Sequence, residues 1–186
     1  INKPSGMLSQ KAKPEDVSLV EYLIAHLIHK GELNAGDLAS FKPGICNRLD
    51  RNTSGIVAAG KTTKGLQQLS EAFKQRILGK YYLCIVKGNV DKRALIKGYL
   101  YKDNKTNKVT ISRTETKDSL PIETEYIPVC SNGNVTLLKI HLLTGRSHQI
   151  RAHLASIGHP LIGDYKYGSQ SVNDAIQSKR PDASFI

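Results

Sequence analysis

Residues 122–143, IETEYIPVCSNGNVTLLKIHLL, carry the clearest architectural signal in the chain. Apolar and polar residues alternate over 122–130 and again over 135–143, and the intervening Ser131-Asn132-Gly133-Asn134 is a turn signal of good quality. Two such runs joined by so short a turn read as neighbouring antiparallel strands. Working outward, KYYLCIVKG (80–88) is rich in aromatic and β-branched residues and reads as a strand bounded by Gly79 and Gly88. The polar, lysine-rich segment 101–119 holds one short β-like core, VTIS, and reads as a hairpin with exposed loops. TGRSHQIRAHLASIGHP then predicts a helix that starts near Ser147, packs through Ile150, Leu154 and Ile157, and stops at Gly158 ahead of Pro160.

The first part of the chain is more helical. Val20, Leu23, Ile24, Leu27 and Ile28 recur at helical spacing, Ser18 and Glu21 have capping-box spacing, and Gly31 stands where a C-terminal cap belongs. IVAAG (56–60) reads as a short buried strand, followed by a second helix packed through Leu66, Leu69, Phe73 and Ile77. From Ser169 the pattern fades, and 169–186 is expected to be frayed or divergent. No repeat or interdomain linker is visible, so 1–186 reads as a single domain. Local strand pairing with a few interspersed helices predicts an α+β fold: a mostly antiparallel mixed sheet with flanking helices.

The chain has 186 residues, and 27 Lys and Arg against 16 Asp and Glu leave a net charge of +11. That excess favours nucleic acid or an anionic surface as partner. Cys46, Cys84 and Cys130 are odd in number and form no C-x-x-C pair, which argues against a disulfide framework and a cysteine zinc site and fits buried thiols in a reducing compartment. No apolar run reaches the ~20 residues that span a bilayer, and no signal segment opens the chain, so a cytoplasmic location is expected. The chain begins at Ile1 inside a motif-like stretch, which leaves room for an upstream RNA-binding domain.

Few residues are left to carry chemistry. His148 and His153 lie five apart, roughly 140° around a helix, so they share no face for a metal. There is no P-loop, no G-x-G-x-x-G and no G-x-S-x-G. What remains is NRLDRNTSG (47–55), where Asp50 stands between Arg48 and Arg51. Alone, that spacing fits a surface ion pair worth little energetically. The turn-forming residues 52–55 and the apolar run behind them also fit a carboxylate held at the edge of a rigid sheet. A carboxylate near arginine stays ionised at neutral pH, as a nucleophile or base requires.

NRLDRNTSG with the following GKT, KYYLCIVKG, and LLTGRSHQIRAHLASIGHPLIGDYKYG together resemble, in order, successive blocks of the RluA family of RNA pseudouridine synthases. INKPSGM resembles the strand and turn that open that family's catalytic domain. The blocks span residues 1–168. The resemblance implies a pseudouridine synthase catalytic domain. Asp50 would act on the target uridine, Tyr82 would stack on the flipped base and assist proton transfer at C5, and Arg151 would pair with Asp50. Arg48 would enter the RNA stack where the uridine was. Tyr81 is expected to point to the other face of its strand, as alternation demands. Arg51, Lys80, Arg146 and His148 are further RNA-binding candidates. In two respects the chain departs from the family pattern: Asn47 stands where the family usually has histidine, and its LHA pattern is not found after Tyr167.

The implied chemistry breaks the N1 glycosidic bond, turns the uracil and joins C5 to the sugar. Atoms are conserved and there is no redox step, so no cofactor and no metal are expected. The partner is RNA: large-subunit ribosomal RNA, or transfer RNA as the alternative, with a monomer as the default. A basic RNA-binding protein of the same fold without catalysis is the competing expectation. A DNA-binding module lacks any helix-turn-helix or finger pattern.

Overall fold

A computed structural model describes residues 1–179, which form two compact units, Ile1–Leu78 and a second beginning at Gly79. In the first unit, helix α1 (Leu19–His29) starts where the capping box predicts: the Ser18 backbone N–H donates to the Glu21 carboxylate at 3.1 Å. Leu19, Leu23 and Leu27 form its buried stripe, and Gly31 follows at φ +70°. Ile28 is exposed, because it lies about 100° around the helix from Leu27.

IVAAG is not one strand. Strand β1 (Asn2–Lys3) pairs antiparallel with β3 (Gly55–Ile56), while β2 (Gly44–Ile45) pairs with β4 (Ala59–Gly60). Only Val57 of this run is fully buried among its large apolar residues; Ile56 is exposed. The run is claimed by two different partners, so it must turn between them. Asn47 holds that turn: its side-chain amide donates to the Ile56 carbonyl at 3.2 Å, and its Oδ1 accepts from the Ala58 N–H at 2.8 Å.

Helix α2 (Thr63–Lys74) sits directly on β4. It is capped by Thr62, whose Oγ1 accepts from the Gly65 N–H at 3.1 Å. A Cβ on Gly60 would come within 2.4 Å of the Leu66 Cα, so only glycine allows this approach. The helix ends before Arg76, which stands at φ +59°, and Ile77 lies beyond it, exposed, instead of packing on the helix face.

The second unit carries an antiparallel five-stranded sheet in the order β5-β9-β8-β6-β7. Its strands are β5 (Tyr81–Lys87), β6 (Ala94–Asp103), β7 (Lys108–Ser112), β8 (Leu120–Ser131) and β9 (Val135–Leu142). The 131–134 turn forms as read, with Asn132 Oδ1 accepting from the N–H groups of Asn134 and Val135 and Gly133 at φ +87°. The register slips between Pro128 and Cys130, at a residue with no N–H to give the ladder.

Helix α3 (Gln149–Ser156) packs on this sheet. Leu154 joins Val86, Leu138, Ile140 and Leu161 in one buried cluster, and Ala152 joins Leu100, Val109 and Ile122 in another. The helix begins two residues after Ser147, because His148 takes a left-handed conformation at φ +51°. Ile157 follows its last residue and is exposed.

The stretch after Ser169 is better ordered than its pattern suggests. Residues Gln170–Lys179 form helix α4, and its buried Asn173 accepts from the Gly163 N–H at 2.8 Å and donates to the Asp164 carbonyl at 3.0 Å. The remainder of the expected frayed tail, 180–186, lies outside the described residues. The cysteines are not uniformly buried: Cys46 and Cys84 are half-buried, whereas Cys130 is exposed on β8 beside the bulge. Among the described residues no helix is long and apolar enough to cross a membrane.

Candidate active site

In the first unit Arg48, Asp50 and Arg51 share one loop, and the N-terminal segment pins it. Ser9 Oγ donates to the Leu49 carbonyl at 2.7 Å and accepts from the Leu49 N–H at 3.0 Å. The Arg51 carbonyl accepts from the Gly6 N–H at 2.9 Å, and Ser5 Oγ donates to the Asn52 carbonyl at 2.8 Å. The Asp50 carbonyl accepts from the Thr53 N–H at 3.1 Å, closing the turn. Leu49 is buried beneath, Asp50 is half-buried, and Arg48 and Arg51 are exposed.

Lys3 underpins this loop, a role that no pattern in the sequence marks. Its side chain has no solvent exposure, and its ammonium donates to the carbonyls of Pro4, Met7 and Arg51 at 2.9, 2.8 and 2.9 Å. Burial pulls its pKa below the ordinary lysine value, while the Asp50 carboxylate works the other way. A buried cation thus lies within electrostatic reach of Asp50 in the same unit. INKPSGM was legible as a motif, but nothing in it marks a lysine as buried.

In the second unit Tyr82 lies on β5 opposite Ile140 of β9 and packs, half-buried, against the Val86–Leu138–Leu154 cluster. Tyr81 points the other way, as alternation requires: it is exposed, stacked on His141 with ring centroids 4.6 Å apart, and its ring lies 4.9 Å from the Lys139 ammonium. Lys80 ends on the loop before α3. Its carbonyl accepts from the Leu142 N–H at 2.9 Å, and its ammonium is 2.8 Å from where a Cβ on Gly145 would stand. Arg146 is exposed on that loop, and its backbone N–H donates to Gln149 Oε1 at 3.0 Å.

Buried polar residues hold the start of α3. The Gln149 amide donates to the Glu123 carbonyl at 3.1 Å and to Thr124 Oγ1 at 3.0 Å, and its oxygen also accepts from Thr144 Oγ1 at 2.9 Å. Thr124 Oγ1 lies 3.0 Å from His153 Nδ1. Burial pushes the His153 pKa down from 6.5 to about 4, against a weaker pull upward from a hydrogen bond to the Lys97 carbonyl. A neutral ring that donates to Lys97 must accept at Nδ1, so Thr124 donates to it. Gln149 and His153 are four apart on one helix face, a polar i,i+4 pair whose spacing was the available signal for this role of His153, distinct from metal ligation.

Arg151 has a partner that the sequence reading did not name. Its Nε and Nη2 donate to Asp164 Oδ2 and Oδ1 at 2.7 and 3.0 Å, and its guanidinium lies 5.2 Å from the centre of the Tyr167 ring. Asp164 is fully buried. Burial alone would raise its pKa, but the hydrogen bonds and charge of Arg151 and the N–H groups of Tyr167 and Lys166 hold it below the ordinary aspartate value. The Tyr167 hydroxyl accepts from the Val109 N–H at 3.0 Å and meets His148 Nδ1 at 2.8 Å, which ties His148 to the sheet. Asp164 and Tyr167 lie in IGDYKYG, yet no spacing rule links either to Arg151 or His148.

The fold that carries these residues is that of the pseudouridylate synthase domains. Human RNA Pseudouridylate Synthase Domain Containing 1 superposes with a TM-score of 0.71 at 22% identity, covering 99% of this chain and 69% of its own. The corresponding human domain-containing protein 4 gives 0.71 at 21%, with 92% and 66% covered. The chain belongs to the RNA pseudouridylate synthase family, whose model matches residues 1–156. Ribosomal large subunit pseudouridine synthase D of Borreliella burgdorferi is 33% identical over 171 residues, covering 90% of this chain and 51% of the relative. An uncharacterized RNA pseudouridine synthase of Mycoplasma genitalium is 34% identical over 170 residues, with 90% and 52% covered. The chain spans about half the length of these curated relatives.

Proposed function

We propose that this chain is the catalytic domain of an RNA pseudouridine synthase that isomerises uridines of structured RNA, with large-subunit ribosomal RNA as its substrate class. The observation that carries the reading is the Asp50 loop: a half-buried carboxylate in a turn fixed by Ser5, Gly6, Ser9 and the buried Lys3. Binding alone gains nothing from a carboxylate held rigidly in a chain of net charge +11. Asp50, Tyr82 and Arg151 all lie within the family match at residues 1–156. The ribosomal assignment draws on the relative in Borreliella burgdorferi, whose name specifies the large subunit. Transfer RNA is the alternative substrate, and the cytoplasm is where either would be met.

The target atoms lie inside a base stack, so the uridine must be flipped out and its place filled. Arg48, exposed on the Asp50 loop, fills that place. Tyr82 receives the flipped uracil on its ring and assists the proton leaving C5. Arg51, Lys80, Arg146 and His148 hold the RNA backbone. Asp50 acts on the uridine, with Arg151 as its pairing cation. The N1–C1′ bond breaks, uracil turns, C5 bonds to C1′, and the C5 proton departs while N1 regains one. The balance closes without oxidant, reductant or cofactor.

RNA carrying tritium at uridine C5 tests the reading directly, because isomerisation must release that label. Release is expected from total cellular RNA, and Asp50→Asn is expected to abolish it while RNA affinity stays near wild type, since phosphate contacts dominate binding. A folded protein that binds RNA but releases no label would instead be an RNA-binding protein of this fold.

A further inference from the structure

We infer that Asp164 is the positioning residue for Arg151: it fixes the plane in which the guanidinium is held for the reaction. This rests on the reading above, in which Arg151 serves the catalytic aspartate. An arginine on a helix surface has four side-chain torsions and sweeps a wide volume. Here Nε and Nη2 are both committed to one carboxylate at 2.7 and 3.0 Å, the fork geometry that sets the guanidinium plane. The Tyr167 ring, 5.2 Å from the guanidinium carbon, packs against it.

The carboxylate is itself fixed. Asp164 Oδ1 accepts from the N–H groups of Lys166 and Tyr167 at 2.9 and 3.1 Å. Its carbonyl accepts from Gly168 at 2.9 Å and from the buried Asn173 of α4 at 3.0 Å. No side chain fits at position 168, where a Cβ would stand 2.1 Å from that carbonyl oxygen. Asp164 is fully buried with its charge matched by Arg151, so the pair presents oriented donors at little net charge. A fixed donor edge can act on a carboxylate without the reorganisation that a mobile arginine requires.

The two carboxylate oxygens have separable duties, and this makes the inference testable. The turn N–H groups use Oδ1 alone, whereas Oδ2 serves Arg151 Nε. Asp164→Asn retains the Oδ1 acceptor and sets an NH₂ group against Nε, so the turn survives while the fork is lost. Arg151→Lys removes the fork from the other side and leaves Asp164 a cationic partner, which keeps the fold available if the asparagine variant fails to form.

The experiment measures tritium release and RNA affinity for wild type, Asp50→Asn, both single variants and their double. Each single variant is expected to lose about ten- to a hundredfold in kcat, the scale of a ~1 Å misplacement, with KM and RNA affinity within about twofold of wild type. The double should lose no more than the worse single, because both changes remove the same contact. Losses that multiply in the double, or a folded Asp164→Asn with kcat within about twofold of wild type, would overturn the inference. A wild type that releases no label overturns the synthase reading and this inference together. An active wild type with an equally active Asp164→Asn overturns this inference alone.

Discussion

His153 gives the most direct test of how the start of α3 is held. It is 2% exposed, bonded to Thr124 and Lys97, with a pKa of about 4 in place of the ordinary 6.5. Because the folded value is the lower one, the unfolded chain binds a proton first as pH falls. The stability this group contributes is therefore complete above pH 6.5, declines between 6.5 and about 4, and changes no further below. At 1.36 kcal/mol per pH unit, a drop from 6.5 to about 4 corresponds to roughly 3 kcal/mol. Protonation makes Nδ1 a donor towards a hydroxyl that already donates to it. Thr124 must then turn away, with Gln149 still bonded to its oxygen.

Urea unfolding of wild type and His153→Gln across this pH range isolates the contribution of this one side chain, since the other titrating groups are common to both. The wild type is expected to lose about 3 kcal/mol more than the variant between pH 6.5 and about 4. An NMR titration of the His153 ring should show it neutral well below pH 6. Parallel pH slopes for the two proteins, or a ring that titrates at its ordinary 6.5, would show that His153 is not held neutral by burial.

Three further outcomes follow from other contacts. Lys3→Met leaves the Pro4 and Met7 carbonyls without the ammonium, while the Arg51 carbonyl keeps the Gly6 N–H; at ~1–3 kcal/mol per orphaned acceptor, offset by relief of ammonium desolvation, a net loss of about 2–4 kcal/mol is expected in urea unfolding. Cys130 should react readily with a thiol reagent in the folded protein, whereas Cys84, pushed up to about 12 by burial, should react only after unfolding; mass spectrometry of labelled peptides separates them. Gly60→Ala should cost about 1–3 kcal/mol in the same unfolding assay, because its Cβ meets the backbone of Leu66 and not a side chain that can swing away.

Features governed by neighbours in the chain were legible in the sequence. The Ser18–Glu21 box, the Gly31 and Gly158 stops, and the 131–134 turn each depend on residues within four positions of one another, and each formed where read. The Tyr81/Tyr82 split follows from strand alternation, which needs no tertiary information. The blocks that mark the family were likewise a matter of residue order, and the family match over 1–156 takes in all but the end of the last one.

Long-range pairing was a different matter. IVAAG has the composition of one strand, yet whether it stays one depends on β1, near the start of the chain, and β2, on the far side of the Asp50 loop, which take its two ends separately. Ser169 onward carries little periodicity, and α4 is anchored by the bond of Asn173 to Gly163, made by a polar residue that periodicity does not count. The fold class, the family and the loop that bears Asp50 are written in local propensity and residue order. That Lys3 is the buried cation within reach of Asp50, and that Arg151 is forked to Asp164, emerges only from long-range packing. The strength of a charge pair depends on burial and on the orientation of a planar group, and neither is a property of spacing along the chain.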